Sequence, residues 1–275
     1  MSQNIFKNQV LPLIATVVTF FVLVFLLWSE IKILNRFTKE DILLPISLGS
    51  ILVGLTIYLK TSIDFAIYIG KLMEKNNTWR SRIAIEIGTG LGNALGTMVI
   101  LVIWAFFKEV KILLALMVFI ASLVLFRLAE EGLHHALEIK NAFPTWFEKM
   151  IHMFGKYLES FNTITGKVLK YVIPNTKIKD ANNLNFAKLF VVSFTVPFIL
   201  GLDDFAGYIS LFNVVNVFSF AIGVFLGHMI LNIFLYISPS YTIKLVKIPI
   251  ISLLGTIAFV GLGLWGLYEV VHMIL

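Results

Sequence analysis

Long apolar runs separated by short polar stretches dominate the chain. Seven of them reach or approach the roughly 17–25 residues that a helix needs to cross a bilayer. They cover about Val10–Trp28, Ile42–Leu59, Ile83–Phe107, Ile112–Phe126, Phe186–Leu202, Phe212–Ile237 and Ile248–Val271. The fourth is short in apolar length, but Arg127-Leu128-Ala129-Glu130-Glu131-Gly132-Leu133-His134-His135 continues it as helix, so tilt or snorkelling can cover the deficit. The first is long enough to span and no small-residue cleavage site follows it, so it reads as a membrane helix and not a signal peptide.

A different period appears between the fourth and fifth runs. Phe147, Met150, Ile151, Phe154, Leu158, Phe161, Ile164 and Val168 recur at three- and four-residue steps, with Glu148, Lys149, Lys156, Glu159 and Lys167 between them. That pattern predicts an amphipathic helix, Thr145–Val172. Trp146, Tyr157 and the lysines suit the lipid headgroup layer, and docking on a partner or on the bundle itself is the competing arrangement. Pro174-Asn175 ends it, and Asp180-Ala181-Asn182-Asn183 reads as a turn before the next helix.

Composition agrees with the pattern. The 275 residues are 59% hydrophobic and 14% charged, with a mean hydropathy of +0.91, against roughly 45–50% apolar content in a soluble domain. The net charge of +6 reads as loop charge on one membrane face, not as a footprint for nucleic acid. Lysines and arginines concentrate near the N-terminus and after the second, fourth and sixth runs, whereas only Lys32, Arg36, Lys39, Lys108 and Lys111 fall on the other side. The positive-inside rule then places the N-terminus and the long loop in the cytoplasm and the C-terminus outside, as for a multi-pass protein of a bacterial inner membrane. Cysteine is absent, so any metal site must use oxygen and imidazole, a set suited to Mn, Mg or Ca.

Two halves of the chain repeat each other. Asp64-Phe65-Ala66-Ile67-Tyr68-Ile69 follows the second run, and Asp204-Phe205-Ala206-Gly207-Tyr208-Ile209 follows the fifth. Ile87-Gly88-Thr89-Gly90-Leu91-Gly92-Asn93 in the third run matches Ile222-Gly223-Val224-Phe225-Leu226-Gly227-His228 in the sixth. Each unit holds three spans, an odd number, so the two copies run through the membrane in opposite directions and their ligand site is expected at the midplane where they meet. The fold class is therefore an all-α membrane protein of seven transmembrane helices. It divides into an N-terminal helix (1–40), a first three-helix repeat (41–140), a cytoplasmic amphipathic linker (141–183) and a second three-helix repeat (184–275).

The candidate chemistry lies inside these repeats. Asp203 and Asp204 follow an apolar run loosened by Pro197 and Gly201, and carboxylates in hydrocarbon mark a functional site by default. Two arrangements remain open: a broken helix exposing backbone to an ion, or a helix ending at Gly201 with both acids capping the next. Gly88, Gly92 and Gly96, like Gly223 and Gly227, form close-packing faces that carry Glu86, Asn93, His228 and Asn232 with them. Asp64, Glu86, Asn93, Asp203, Asp204, His228 and Asn232 together make a donor set for a hard or borderline divalent cation. Taken singly, each has a plainer role: Asp64 beside Lys60 in water, Glu86 paired with Arg82, His228 bonded to a backbone carbonyl. Glu130, Glu131, His134 and His135 also have metal-ligand spacing; a solvated helix end is the favoured reading, with a regulatory metal site or a coupling lever as the alternative.

Ser62-Ile63-Asp64, an apolar helix, a basic turn with Arg80 and Arg82 and a glycine-rich helix resemble the first half of TerC-type membrane proteins. Leu202-Asp203-Asp204 followed by Asn213 or Asn216 and Phe220-Ala221-Ile222-Gly223 resembles the second half. The resemblance spans the second to seventh runs. It departs where Phe65 stands in place of the family's Asn, and where no proline follows Asp204. It implies the LysE-like transporter superfamily, with inverted three-helix repeats, acids in the first helix of each, and export of cations, manganese above all. The expected function is thus alternating-access export of a divalent cation, with the bilayer and the transported ion as partners and no bound cofactor. A non-transporting subunit of a membrane complex, or of a homo-oligomer, is the alternative. No Ser/His/Asp set, HExxH or multi-histidine cluster points to an enzyme.

Overall fold

The computed structural model describes residues 10–76, 78–139, 142–169, 185–212 and 214–275; the side chains of Asp64, 167–169 and 200–207 lie outside the described residues. Every regular element among them is helical: α1 (Leu11–Leu34), α2 (Leu48–Thr61), α3 (Ile63–Lys75), α4 (Trp79–Phe107), α5 (Lys111–Leu137), α6 (Thr145–Leu169), α7 (Phe186–Gly207), α8 (Val217–Ile237), α9 (Pro239–Val246) and α10 (Pro249–Ile274), with a 3-10 turn at Tyr208–Leu211.

Among the described residues five helices, α1, α4, α5, α8 and α10, are long and apolar enough to cross a membrane, or six if the bent pair α2–α3 counts as one span. The expectation of seven differs for two local reasons. The second run begins its helix only at Leu48, where the Ser47 side chain caps the first turn by accepting from the Ser50 amide, because Pro45 and the residues before it lie outside helix. At 14 residues α2 is short, and at Ser62 the chain bends by 67° into α3. In the fifth run, the described apolar part is Phe186–Ile199, shorter than a span. The backbone of α7 nevertheless stays helical past Pro197 and Gly201 to Gly207, so neither a break at Pro197 nor an end at Gly201 occurs. The fourth run does continue as expected, to Leu137.

Glycine faces set the packing. Gly92 of α4 lies against the Phe194 carbonyl and Phe198 amide of α7, and Gly223 of α8 lies against the Ile51 carbonyl and Leu55 amide of α2. Each glycine thus rests on a carbonyl and the amide four residues on, a spacing that only the absence of Cβ allows, as in close-packed membrane helices. The contacts are reciprocal: α4 packs most extensively on α7, α8 on α2, and α5 on α10. On the last pair, Thr256 of α10 donates to the Ala129 carbonyl of α5 at 3.1 Å, and Gly263 sits over the Phe126 ring. Helix α1 packs across α4 and α8.

The amphipathic segment forms α6, and it docks on the bundle through one stripe. Ile151 (3% exposed) and Leu158 (6%) join Leu125, Phe126, Ala129 and Leu133 of α5 in one apolar cluster. Gly155 lies near Leu133, while the Asn162 amide donates to the Phe126 carbonyl at 3.1 Å and to Glu130 at 2.6 Å. As α6 advances, its partners on α5 recede, so the two helices run antiparallel side by side. A second stripe, turned about 140° around the helix from the first, remains exposed and includes Trp146 (68% exposed), Met150, Met153, Tyr157 (69%) and Ile164.

Candidate functional site

Four of the seven expected ligands meet. Glu86 and Asn93 on α4 and His228 and Asn232 on α8 line one cavity of about 20 Å³, completed by Thr16, Thr19, Phe20 and Leu23 of α1 and by Gly90, Phe225 and Met229. They converge because positions 86, 89, 90 and 93 share a face of α4, positions 228 and 232 share a face of α8, and the glycines bring both helices into a tight bundle.

The hydrogen bonds form a connected set. Thr16 Oγ1 donates to Glu86 Oε2 at 2.7 Å, with the Pro12 carbonyl a second acceptor at 3.1 Å. Asn232 Nδ2 donates to Thr89 Oγ1 at 2.9 Å and approaches His228 Nε2 at 3.0 Å. With Nε2 accepting, the neutral ring carries its hydrogen on Nδ1 and donates to the Tyr58 hydroxyl at 2.6 Å. The Phe65 ring closes over the imidazole at a centroid distance of 5.1 Å. Within this cluster Glu86 Oε1 and Asn232 Oδ1, both fully enclosed, stay without a partner among the described residues.

The plainer alternatives for Glu86 and His228 turn out differently, and the one for Asp64 lies outside the described residues. Arg82 Nη1 donates to the Tyr236 carbonyl at 3.3 Å and its guanidinium covers the Tyr236 ring at 4.7 Å, and no ion pair with Glu86 is formed. Lys60 donates to the Ile251 carbonyl at 2.9 Å. His228 bonds side chains, not a backbone carbonyl. Asp64 lies in α3 and Asp203 and Asp204 in α7, but their side chains are outside the described residues. Among the described residues no three His, Asp or Glu side chains stand close enough to hold a metal ion.

Thr16, Thr89 and Tyr58 were not foreseen. Thr89 had a signal: Glu86, Thr89, Asn93 and Thr97 recur at helical spacing in an apolar helix. Thr16 had none, since a lone threonine in a membrane helix ordinarily bonds the carbonyl four residues back, which it also does here.

The second polar cluster is a network of ion pairs at the end of α5. Arg127 meets Glu131 at 3.3 Å, His134 meets Glu130 at 3.7 Å, and Glu138 meets both His135 and Lys247 at 3.1 Å. Hydrogen bonding from Lys247, then from His135, holds the Glu138 carboxyl below the usual carboxylate range. The tie between α5 and the α9–α10 turn is therefore present near neutrality and is lost as pH falls through that lowered value.

The apolar helices, with a polar cluster enclosed between them, define an all-helical multi-pass membrane protein. Compared with protein families, with curated proteins and with solved structures, the chain shows no match.

Proposed function

We propose that this chain is a membrane transporter that exports a divalent metal cation, manganese in the first instance, by alternating access between two inverted three-helix units. The observation that carries the reading is Glu86: a carboxylate enclosed in the core, with one oxygen unpartnered among the described residues, lining with Asn232 a cavity where three helices meet. Keeping such a group in an apolar interior is expensive, and proteins that do so ordinarily use it. The reciprocal packing of α4 on α7 and of α8 on α2 supports the repeat. So does its register, because Gly88 meets Phe190 as Gly223 meets Ile51, within one residue of the alignment that superposes the two Asp-Phe-Ala-x-Tyr-Ile motifs. In this proposal Asp64 and Asp203 or Asp204 supply the further negative charge that a divalent ion requires, and the cytoplasmic N-terminus follows from the lysine and arginine distribution.

Metal accumulation in cells tests it. Expression of the chain is expected to lower manganese content under manganese challenge, and Glu86→Gln is expected to abolish the effect. Unchanged manganese, calcium and cadmium contents would favour the second reading, a non-transporting subunit of a membrane assembly. That reading has one observation behind it: both ring nitrogens of His228 are already engaged, by Tyr58 and Asn232.

The exposed stripe of α6 belongs to the same proposal, as a face that meets lipid where the antiparallel α5–α6 pair enters the headgroup layer. Lys149 and Lys156 border it on a helical projection, placed to snorkel toward anionic headgroups. The chain has no cysteine, so a nitroxide on Met153→Cys reports a single site. In lipid nanodiscs it is expected to be more accessible to oxygen than to a water-soluble nickel chelate, with the order reversed for Glu159→Cys. Equal aqueous accessibility at both positions would remove the lipid contact.

A further inference from the structure

We propose that the paired helices α3 and α9 form a docking face for an anionic phospholipid, with Lys71 and Lys244 on its phosphate and the apolar edge of α9 at Tyr241 and Leu245 against its acyl chains. The face lies apart from the cavity at Glu86 and does not depend on the function proposed above. Its geometry follows from two contacts. The Ser240 hydroxyl of α9 donates to the Glu74 carboxylate of α3, and the Ile243 side chain of α9 covers Gly70 of α3. Residue numbers fall along α3 as they rise along α9, so the two helices pack antiparallel. In an antiparallel pair the residue after each contact position, about 100° further round, turns to the same side on both helices. Lys71 and Lys75 on α3 therefore share one face with Tyr241 and Lys244 on α9, and all of them are exposed.

Depth and charge select the occupant. Because α8 ends at Ile237 and α10 begins at Pro249, α9 between them is held at the membrane boundary by two spans. Trp79, which opens α4 just after α3, lies 5.3 Å from the Arg80 guanidinium, and Tyr241 is 65% exposed; aromatics so placed mark headgroup depth. Lys71 and Lys244 have no ion-pair partner among the described residues, whereas Lys247 is taken by Glu138. Helix α9 carries no acid, and Glu74 is turned into the seam against Ser240. Asp64, whose side chain lies outside the described residues, is about 10 Å from Lys71 along the axis of α3. The face thus keeps cationic charge at a depth where the abundant anion is lipid phosphate. With helix axes about 8–10 Å apart, the two lysine stems can meet on one phosphate. Leu245, 40% exposed and one turn beyond Tyr241, continues the apolar edge. A phosphate held there would tie α3, which continues α2, to α9, which joins α8 to α10.

The test titrates the full chain in detergent with dioleoyl phosphatidylglycerol, read as the lipid concentration that gives half the rise in melting temperature. Dioleoyl phosphatidylcholine is expected to require a higher concentration. One lysine beside an anionic leaflet is worth about a fivefold change in affinity, so Lys71→Gln combined with Lys244→Gln is expected to raise the phosphatidylglycerol midpoint about thirtyfold. Both positions are exposed, so the double variant keeps its fold. Lys39→Gln combined with Lys111→Gln removes the same charge beyond the far end of α4, where the Lys39 amide bonds Glu109, and is expected to leave the midpoint in place. Equal midpoints for the two lipids, a Lys71/Lys244 variant that titrates as wild type, or an equal shift in the control overturns the face. The same rise with millimolar inorganic phosphate and no lipid identifies a soluble anion, and a melting temperature that follows protein concentration instead of lipid identifies a second copy of the chain; either result overturns the lipid as occupant. Manganese content in cells reports on the transport reading alone, so the failure of one leaves the other standing.

Discussion

Gly92→Ala and Gly223→Ala are each expected to lower stability by about 2 kcal/mol net, while Gly49→Ala raises it. A methyl at Gly92 would sit on the Phe194 carbonyl, and one at Gly223 on the Ile51 carbonyl, both of them backbone atoms that no rotamer change can move aside. Overpacking of this kind costs about 3 kcal/mol at the upper end of the usual range, and the better helix propensity of alanine returns about 1 kcal/mol. Gly49 on α2 has nothing within 4 Å of the same methyl, so there only the propensity gain remains. Thermal unfolding of the three variants in one detergent checks the signs. Stability equal to wild type in Gly92→Ala and Gly223→Ala would mean that the α4–α7 and α2–α8 faces are looser than described.

These glycines were legible in the sequence because close helix packing writes itself as small residues at four-residue steps, and both faces stood out in their runs. Their partners were not legible, since a small face states that a helix comes near without stating which. The same division runs through the candidate site. Glu86, Asn93, His228 and Asn232 were conspicuous as polar residues in apolar runs, and they do meet. That α1 would close the cavity was hidden, because Thr16 is an ordinary residue for a membrane helix until its hydroxyl is found on the Glu86 carboxylate. The bend at Ser62 was also hidden. Tyr58-Leu59-Lys60-Thr61-Ser62-Ile63 contains neither glycine nor proline, and the turn follows from packing of α3 against α8 and α9 instead of from local propensity. For α6, the sequence registered the whole apolar width, but not that Ile151 and Leu158 would be spent on α5 and leave the Trp146–Ile164 stripe outside.

Glu86→Met, measured at pH 8, is expected to be more stable than the wild type by about 1–3 kcal/mol and inactive in export. Methionine matches the length and volume of glutamate, and it removes a buried carboxylate of which one oxygen has no partner. Replacing an incompletely compensated buried charge by an apolar residue of similar shape is commonly neutral or stabilising by about that amount. No new orphan arises at Thr16, whose hydroxyl keeps the Pro12 carbonyl as acceptor. Thr16→Val acts in the opposite direction, because it takes the remaining donor from Glu86 Oε2 while leaving the acid in place, and it is expected to destabilise by about 1–3 kcal/mol. The opposed signs separate use from scaffolding. A side chain kept for stability should not become more stable when it is removed, so a Glu86→Met variant that melts below the wild type would make the carboxylate a structural link between α1 and α4 and deprive the transport reading of its central residue.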